Sequence, residues 1–185
     1  MKAGVLALQG DFREHVRVLD AAGATALEVR TVADLAEVEC LVIPGGESTT
    51  IGKLARIYGL VEPIRARAAE GVPMLGTCAG MIVMAERVQD GEPLLSLVDI
   101  TVRRNAYGRQ VDSFEVDVDV EGVDHPIRAV FIRAPRVEEV GPAVRVLAEH
   151  EGHPVVLEQG NLVVAAFHPE LVGETRLHEY VLGKV

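Results

Sequence analysis

What most constrains the fold of this 185-residue chain is a repeated unit: a short unbroken apolar run, a glycine-bearing turn, then residues at helical spacing. Residues 3–8, Ala-Gly-Val-Leu-Ala-Leu, form the first run, and a strand apolar on both faces belongs in a parallel sheet covered on both sides. Phe12, Val16 and Leu19 follow at helical spacing, with Asp11 and Glu14 placed as a capping box and Gly23 as the stop. The unit returns at Ala26–Val29, at Leu41–Ile43 before a Gly-rich turn and helical residues 49–58, and at Pro73–Thr77 before helical residues 79–86. Such alternation predicts right-handed βαβ units and an α/β fold, its open, mostly parallel sheet doubly wound and flanked by helices.

From about residue 94 the pattern changes. Between Val111 and Val120 polar and apolar residues alternate, and Val144–Ala148, Val155–Leu157 and Leu162–Phe167 are separated by turn residues, so additional antiparallel strands are expected in the second half. Glu174 to Leu182 reads as a short closing helix. At 49% hydrophobic, residues 1–185 suffice for one continuous core, and a single domain is expected. A net charge of -10 with no basic run argues against a nucleic-acid partner. No apolar stretch approaches the roughly 20 residues that cross a bilayer, and the start lacks a signal-peptide pattern, so a cytoplasmic protein with no membrane partner is expected.

The two cysteines differ in context. Cys40 opens the run Cys40-Leu41-Val42-Ile43 and reads as a small buried hydrophobe; neither cysteine has a partner at structural-zinc spacing, so no metal is expected. Cys78 sits in Gly76-Thr77-Cys78-Ala79-Gly80, the G-x-nucleophile-x-G spacing of a strand-to-helix elbow. Neighbours without Cβ atoms let so sharp a turn form, and a helix N-terminus favours a thiolate. The alternative is a buried cysteine in an ordinary Gly-rich turn. A thiol nucleophile needs a base, and the base an orienting acceptor. His168-Pro169-Glu170 directly follows an apolar strand; if the chain stays extended there, His168 and Glu170 point to the same side. The other histidines, His15, His125, His150, His153 and His178, read as surface or satisfied core residues. Pro44-Gly45-Gly46-Glu47-Ser48-Thr49-Thr50 can expose backbone N–H groups as an oxyanion hole together with the amide of Ala79; a phosphate loop without the Walker ending, or a tight turn capped by Ser48 or Thr49, are the rival readings.

Taken in order, these three segments resemble the class I glutamine amidotransferases, whose sheet is flavodoxin-like. Leu8-Gln9-Gly10, the Pro44–Thr50 segment, Arg104-Asn105, Gly108–Glu115 and Phe131-Ile132-Arg133-Ala134-Pro135 narrow the resemblance to the glutaminase subunits of pyridoxal 5'-phosphate synthase. Ile82 stands where the broader class usually has Gln, as in the pyridoxal branch. The resemblance implies Cys78 as nucleophile, His168 as acid/base and Glu170 as its orienting partner. It further implies that Gly46, Glu47, Ser48, Arg104, Ile132 and Arg133 hold L-glutamine, with Gly46 and Ala79 as the oxyanion hole. No cofactor is implied, and the partner is a barrel-shaped synthase subunit in a hetero-oligomer that receives the ammonia. Rival identities are the glutaminase of histidine synthesis, a DJ-1/PfpI-like cysteine protein, in which a His commonly follows the cysteine where Ala79 stands here, and a zinc deaminase, which lacks its Pro-Cys-x-x-Cys.

Overall fold

The structure, a computed structural model, describes every residue except Asp90 and residues 105–112. The segment Asn105 to Asp112 that carries part of the family resemblance therefore lies outside the described residues. The chain runs β1 (Lys2–Leu6), α1 (Phe12–Ala21), β2 (Thr25–Val29), α2 (Val32–Ala36), β3 (Cys40–Ile43), α3 (Ser48–Ile57), α4 (Val61–Ala69), β4 (Met74–Thr77) and α5 (Ala79–Met84). It continues through β5 (Ala85–Gln89), β6 (Val98–Arg103), β7 (Phe114–Val118), β8 (Ile127–Phe131), β9 (Arg136–Val140), β10 (Arg145–His150), β11 (His153–Gln159), β12 (Leu162–Ala165) and α6 (Arg176–Leu182).

Seven strands form the main sheet in the order β10-β11-β12-β4-β3-β1-β2. The five from β12 to β2 are parallel, and β10 and β11 add an antiparallel edge. The strand order reverses between β1 and β3, and a sheet of this kind leaves a crevice beyond the carboxyl ends of its strands at that point. The apolar runs behave as strands covered on both faces: Cys40 to Ile43 and Met74 to Thr77 are all buried. Each large aliphatic side chain removed from water there contributes roughly 1.5–3 kcal/mol. The antiparallel strands expected in the second half are present, with β7 paired to β8 and β6 to β9.

Three local expectations need correction. The helix after Cys78 ends at Met84 rather than 86, because Ala85–Gln89 pairs with β6 instead. Asp11 does precede α1, but no capping box forms: Glu14 lies 3.7 Å from Arg17, and the Asp11 carboxylate turns to His168. Neither Ser48 nor Thr49 caps α3, whose N-cap is Glu47 without a side-chain bond. Gly23, by contrast, does end its helix, with φ +83° and its N–H donating back to the Asp20 carbonyl.

Candidate active site

Parallel pairing of β12 with β4, Ala165 opposite Thr77, makes the chain leave both strands at the same edge of the sheet. Cys78 therefore emerges beside the segment that carries His168. The elbow is as tight as its glycines imply. Cys78 itself has φ 48° and ψ -103°, a region that costs on the order of 1–3 kcal/mol outside glycine and recurs at functional sites. A Cβ on Gly80 would lie 2.0 Å from the Ile43 carbonyl oxygen, so α5 can start against β3 only with glycine there.

His168 is buried and hydrogen-bonded on both sides. Its ring meets the Cys78 side chain, and its Nδ1 lies 2.7 Å from Glu170 Oε1. The route differs from the one the sequence suggests. The backbone turns at Pro169 (φ -69°, ψ -29°) into a 3-10 turn over Glu170–Val172, and it is this turn, not an extended strand, that brings the carboxylate back under the imidazole. Burial works against a charged ring, yet the bonds and charges of Cys78 and Glu170 outweigh it and raise the His168 pKa to about 10. Glu170 is wholly buried; burial alone would raise its pKa, but His15 and His168 hold it well below the usual carboxylate range.

A cavity of about 470 Å³, in the size range of small-molecule sites, opens above this group. Its walls include Cys78, His168, Gly46, Glu47, Ser48, Ala79, Arg104, Ile132 and Arg133, so the residues expected to act on or hold the substrate line one space except Glu170, which stands behind His168. The Ile132 carbonyl lies 3.9 Å from Cys78 Sγ, and Arg133, itself at φ 44°, reaches Glu47 across 3.9 Å. On the β3 side, Gly46 has φ +149°, and a Cβ there would fall 2.7 Å from Gln9 Oε1. The same oxygen accepts the Glu47 N–H at 2.8 Å. Asp11 N–H donates to the Gly45 carbonyl at 3.1 Å, which fixes the orientation of the Gly45–Gly46 peptide. A Cβ on Gly45 would strike the His168 ring at 2.3 Å.

Several participants were not legible as such. Gln9 appeared only within the resemblance, and Asp11 as a helix cap; its pKa is raised by burial, with His168 opposing. His15 and His178, read as surface or satisfied core, are wholly buried and linked to each other and to Glu170. The i,i+4 spacing from Asp11 to His15, which puts both on one helix face, was the available signal; His178, 163 residues from His15, offered none. Ligand atoms of Asp11, His168 and Glu170 lie within 4.8 Å of one another, the spacing of a metal cluster. The His168 Nδ1 is, however, already committed to Glu170, and a ring that holds its proton so strongly repels a cation, so the trio is better suited to proton handling.

The fold is that of the glutamine amidotransferases. A crystal structure described as a glutamine amidotransferase matches over 98% of this chain and 97% of its own, with a TM-score of 0.94 and 48% identity. The structure of PurLQS from Thermotoga maritima shares the fold, with a TM-score of 0.74 and 19% identity over 99% of this chain and 95% of that one. The chain belongs to the SNO glutamine amidotransferase family, whose model matches residues 5–185. It is 57% identical to a pyridoxal 5'-phosphate synthase subunit PdxT of Frankia alni, over 96% of this chain and 91% of that one. It is likewise 57% identical to a protein of the same name from Mycolicibacterium vanbaalenii, over 100% and 97%. Family membership decides among the identities the sequence left open.

Proposed function

We propose that this chain is the glutaminase subunit of a pyridoxal 5'-phosphate synthase and that Cys78, His168 and Glu170 carry out the hydrolysis. The observation that supports this most is the ring of His168 held between the Cys78 side chain and Glu170 Oε1 at the floor of the cavity. Cys78 as thiolate attacks the side-chain amide carbon of L-glutamine, forming the C–S bond and pushing the carbonyl electrons onto oxygen. The amides of Gly46 and Ala79 receive that oxyanion. His168 passes its proton to the amide nitrogen, the C–N bond breaks, and ammonia leaves a γ-glutamyl thioester. The now neutral ring takes a proton from water; the hydroxide attacks the thioester, and glutamate departs as the thiolate is regenerated. Arg104 and Arg133, on the cavity wall, are suited to the carboxylate of the amino acid, and Glu47 and Ser48 line the same cavity.

Ammonia released inside the protein passes to a barrel-shaped synthase subunit in a hetero-oligomer, where it is joined to a pentose phosphate and a triose phosphate. The relatives named as synthase subunits support this half of the reading. The test has two readouts. Glutamate release from glutamine is expected from the wild type with its synthase partner and is expected to vanish in Cys78→Ala with folding unchanged; release by that variant at the wild-type rate would end the chemical assignment. Formation of pyridoxal 5'-phosphate by the assembled pair tests the pathway.

A further inference from the structure

Behind the proposed triad lies a second buried hydrogen-bonded array. His15, one turn into α1, places Nε2 3.4 Å from Glu170 Oε1 and 3.0 Å from the hydroxyl of Thr77, the residue before the nucleophile. Its Nδ1 lies 2.8 Å from Nε2 of His178 on α6. His15, Thr77, Glu170 and His178 are all essentially excluded from solvent. Ordinary core packing has no need of two imidazoles here, and two buried rings in series leave few proton arrangements open.

From this geometry we infer that His15 is a positioning residue for the reaction: its Nε2–H anchors the Glu170 carboxylate that orients His168, and His178 sets the tautomer that makes this possible. Three steps lead there. A bare nitrogen lone pair facing a carboxylate oxygen at 3.4 Å in a dry interior is repulsive, whereas an N–H shared between that oxygen and the Thr77 hydroxyl at 3.0 Å is attractive, so the His15 proton sits on Nε2. His178 is neutral, since burial pushes its pKa down to about 3, and it carries a single N–H. Were that hydrogen on Nδ1, its acceptor would be the Glu174 carbonyl, which is close but poorly aligned, and a buried donor would be left weakly met. The hydrogen belongs on Nε2, which donates to Nδ1 of His15; a neutral His15 accepting there must carry its own proton on Nε2. The array thus runs in one direction, from His178 through His15 to Glu170 and His168.

Only the anchoring role rests on the proposed hydrolysis, so two experiments separate the claims. Nitrogen NMR of the histidine rings in the full chain reports protonation at each ring nitrogen and needs no activity. One proton on Nε2 of both His15 and His178 is expected; a bare Nε2 on His15, or a doubly protonated His15, overturns the array. The second measures glutamine hydrolysis with the synthase partner present, for His15→Leu and His15→Gln. The Leu variant is expected to lose about tenfold or more in kcat with KM within about twofold, as for a displaced reacting group. The Gln variant, whose amide can present an N–H in the position of Nε2, is expected to recover most of that loss although both variants lack the imidazole and its packing. A His15→Leu variant with wild-type kcat, or a Gln variant as impaired as Leu, overturns the anchoring role. Absence of hydrolysis in the wild-type pair would instead strike the proposed function and leave the NMR result standing.

Discussion

At the residue scale, the site is a set of titratable groups whose environments push them apart. His168 gains protons on folding, its pKa rising from 6.5 to about 10, so the native state holds a proton that the unfolded chain releases between those values. Its contribution to stability is therefore complete below pH 6.5 and lost as pH rises towards 10. Cys40, whose thiol burial raises from 9.0 to about 11, adds a slope of the same sign at the top of that range. His178 has the opposite sign: with its pKa depressed from 6.5 to about 3, the stability it contributes is present above pH 6.5 and lost as pH falls. Urea unfolding followed against pH is expected to show a maximum near neutrality, with a decline from pH 7 to 9 that is flatter in His168→Ala. An unchanged alkaline slope in that variant would contradict the pairing described. At this scale the sequence was informative where a residue type is rare in its context, as with Cys78 between glycines, and poor where the context is ordinary. Asp11 looks like any cap, and only the approach of His168 to 3.5 Å shows otherwise.

At the scale of elements, what positions the site is the closeness of α5 to β3 and of the loop after β1 to the loop after β3. Gly80→Ala would place a Cβ 2.0 Å from a backbone carbonyl, an atom that cannot rotate away. A loss of about 3 kcal/mol, at the upper end of overpacking costs, is expected in urea unfolding, together with a fall in activity. A stability within the error of the wild type would mean that α5 is free to shift. The parallel strands were readable because burial on both faces leaves an unbroken apolar run. Strand β5 was not, because Ala85-Glu86-Arg87 are good helix formers and only pairing with β6, 13 to 14 residues onward, holds them extended. The 3-10 turn at Glu170 escaped for a related reason: Pro169 restricts the residue before it, not the turn that follows.

At the scale of the whole molecule, the cavity is open to solvent along a rim where Leu171 and Arg133 are exposed. A site that releases ammonia at such a mouth loses it to water unless another surface covers the rim. Adding the synthase subunit is therefore expected to raise glutamine hydrolysis, with release of the Gly45 carbonyl from the Asp11 N–H letting the Gly45–Gly46 peptide reorient. Equal turnover with and without the partner would remove this gating. The open, mostly parallel doubly wound sheet followed from alternation and handedness, whereas the convergence of α1 and α6 on Glu170 is a property of the finished fold. That convergence has a consequence for the birth of the protein: His178 docks against a residue made 163 positions earlier. On a translating ribosome the buried array behind Glu170 can close only after α6 has emerged, so a chain interrupted before that helix leaves the His15 ring without its partner.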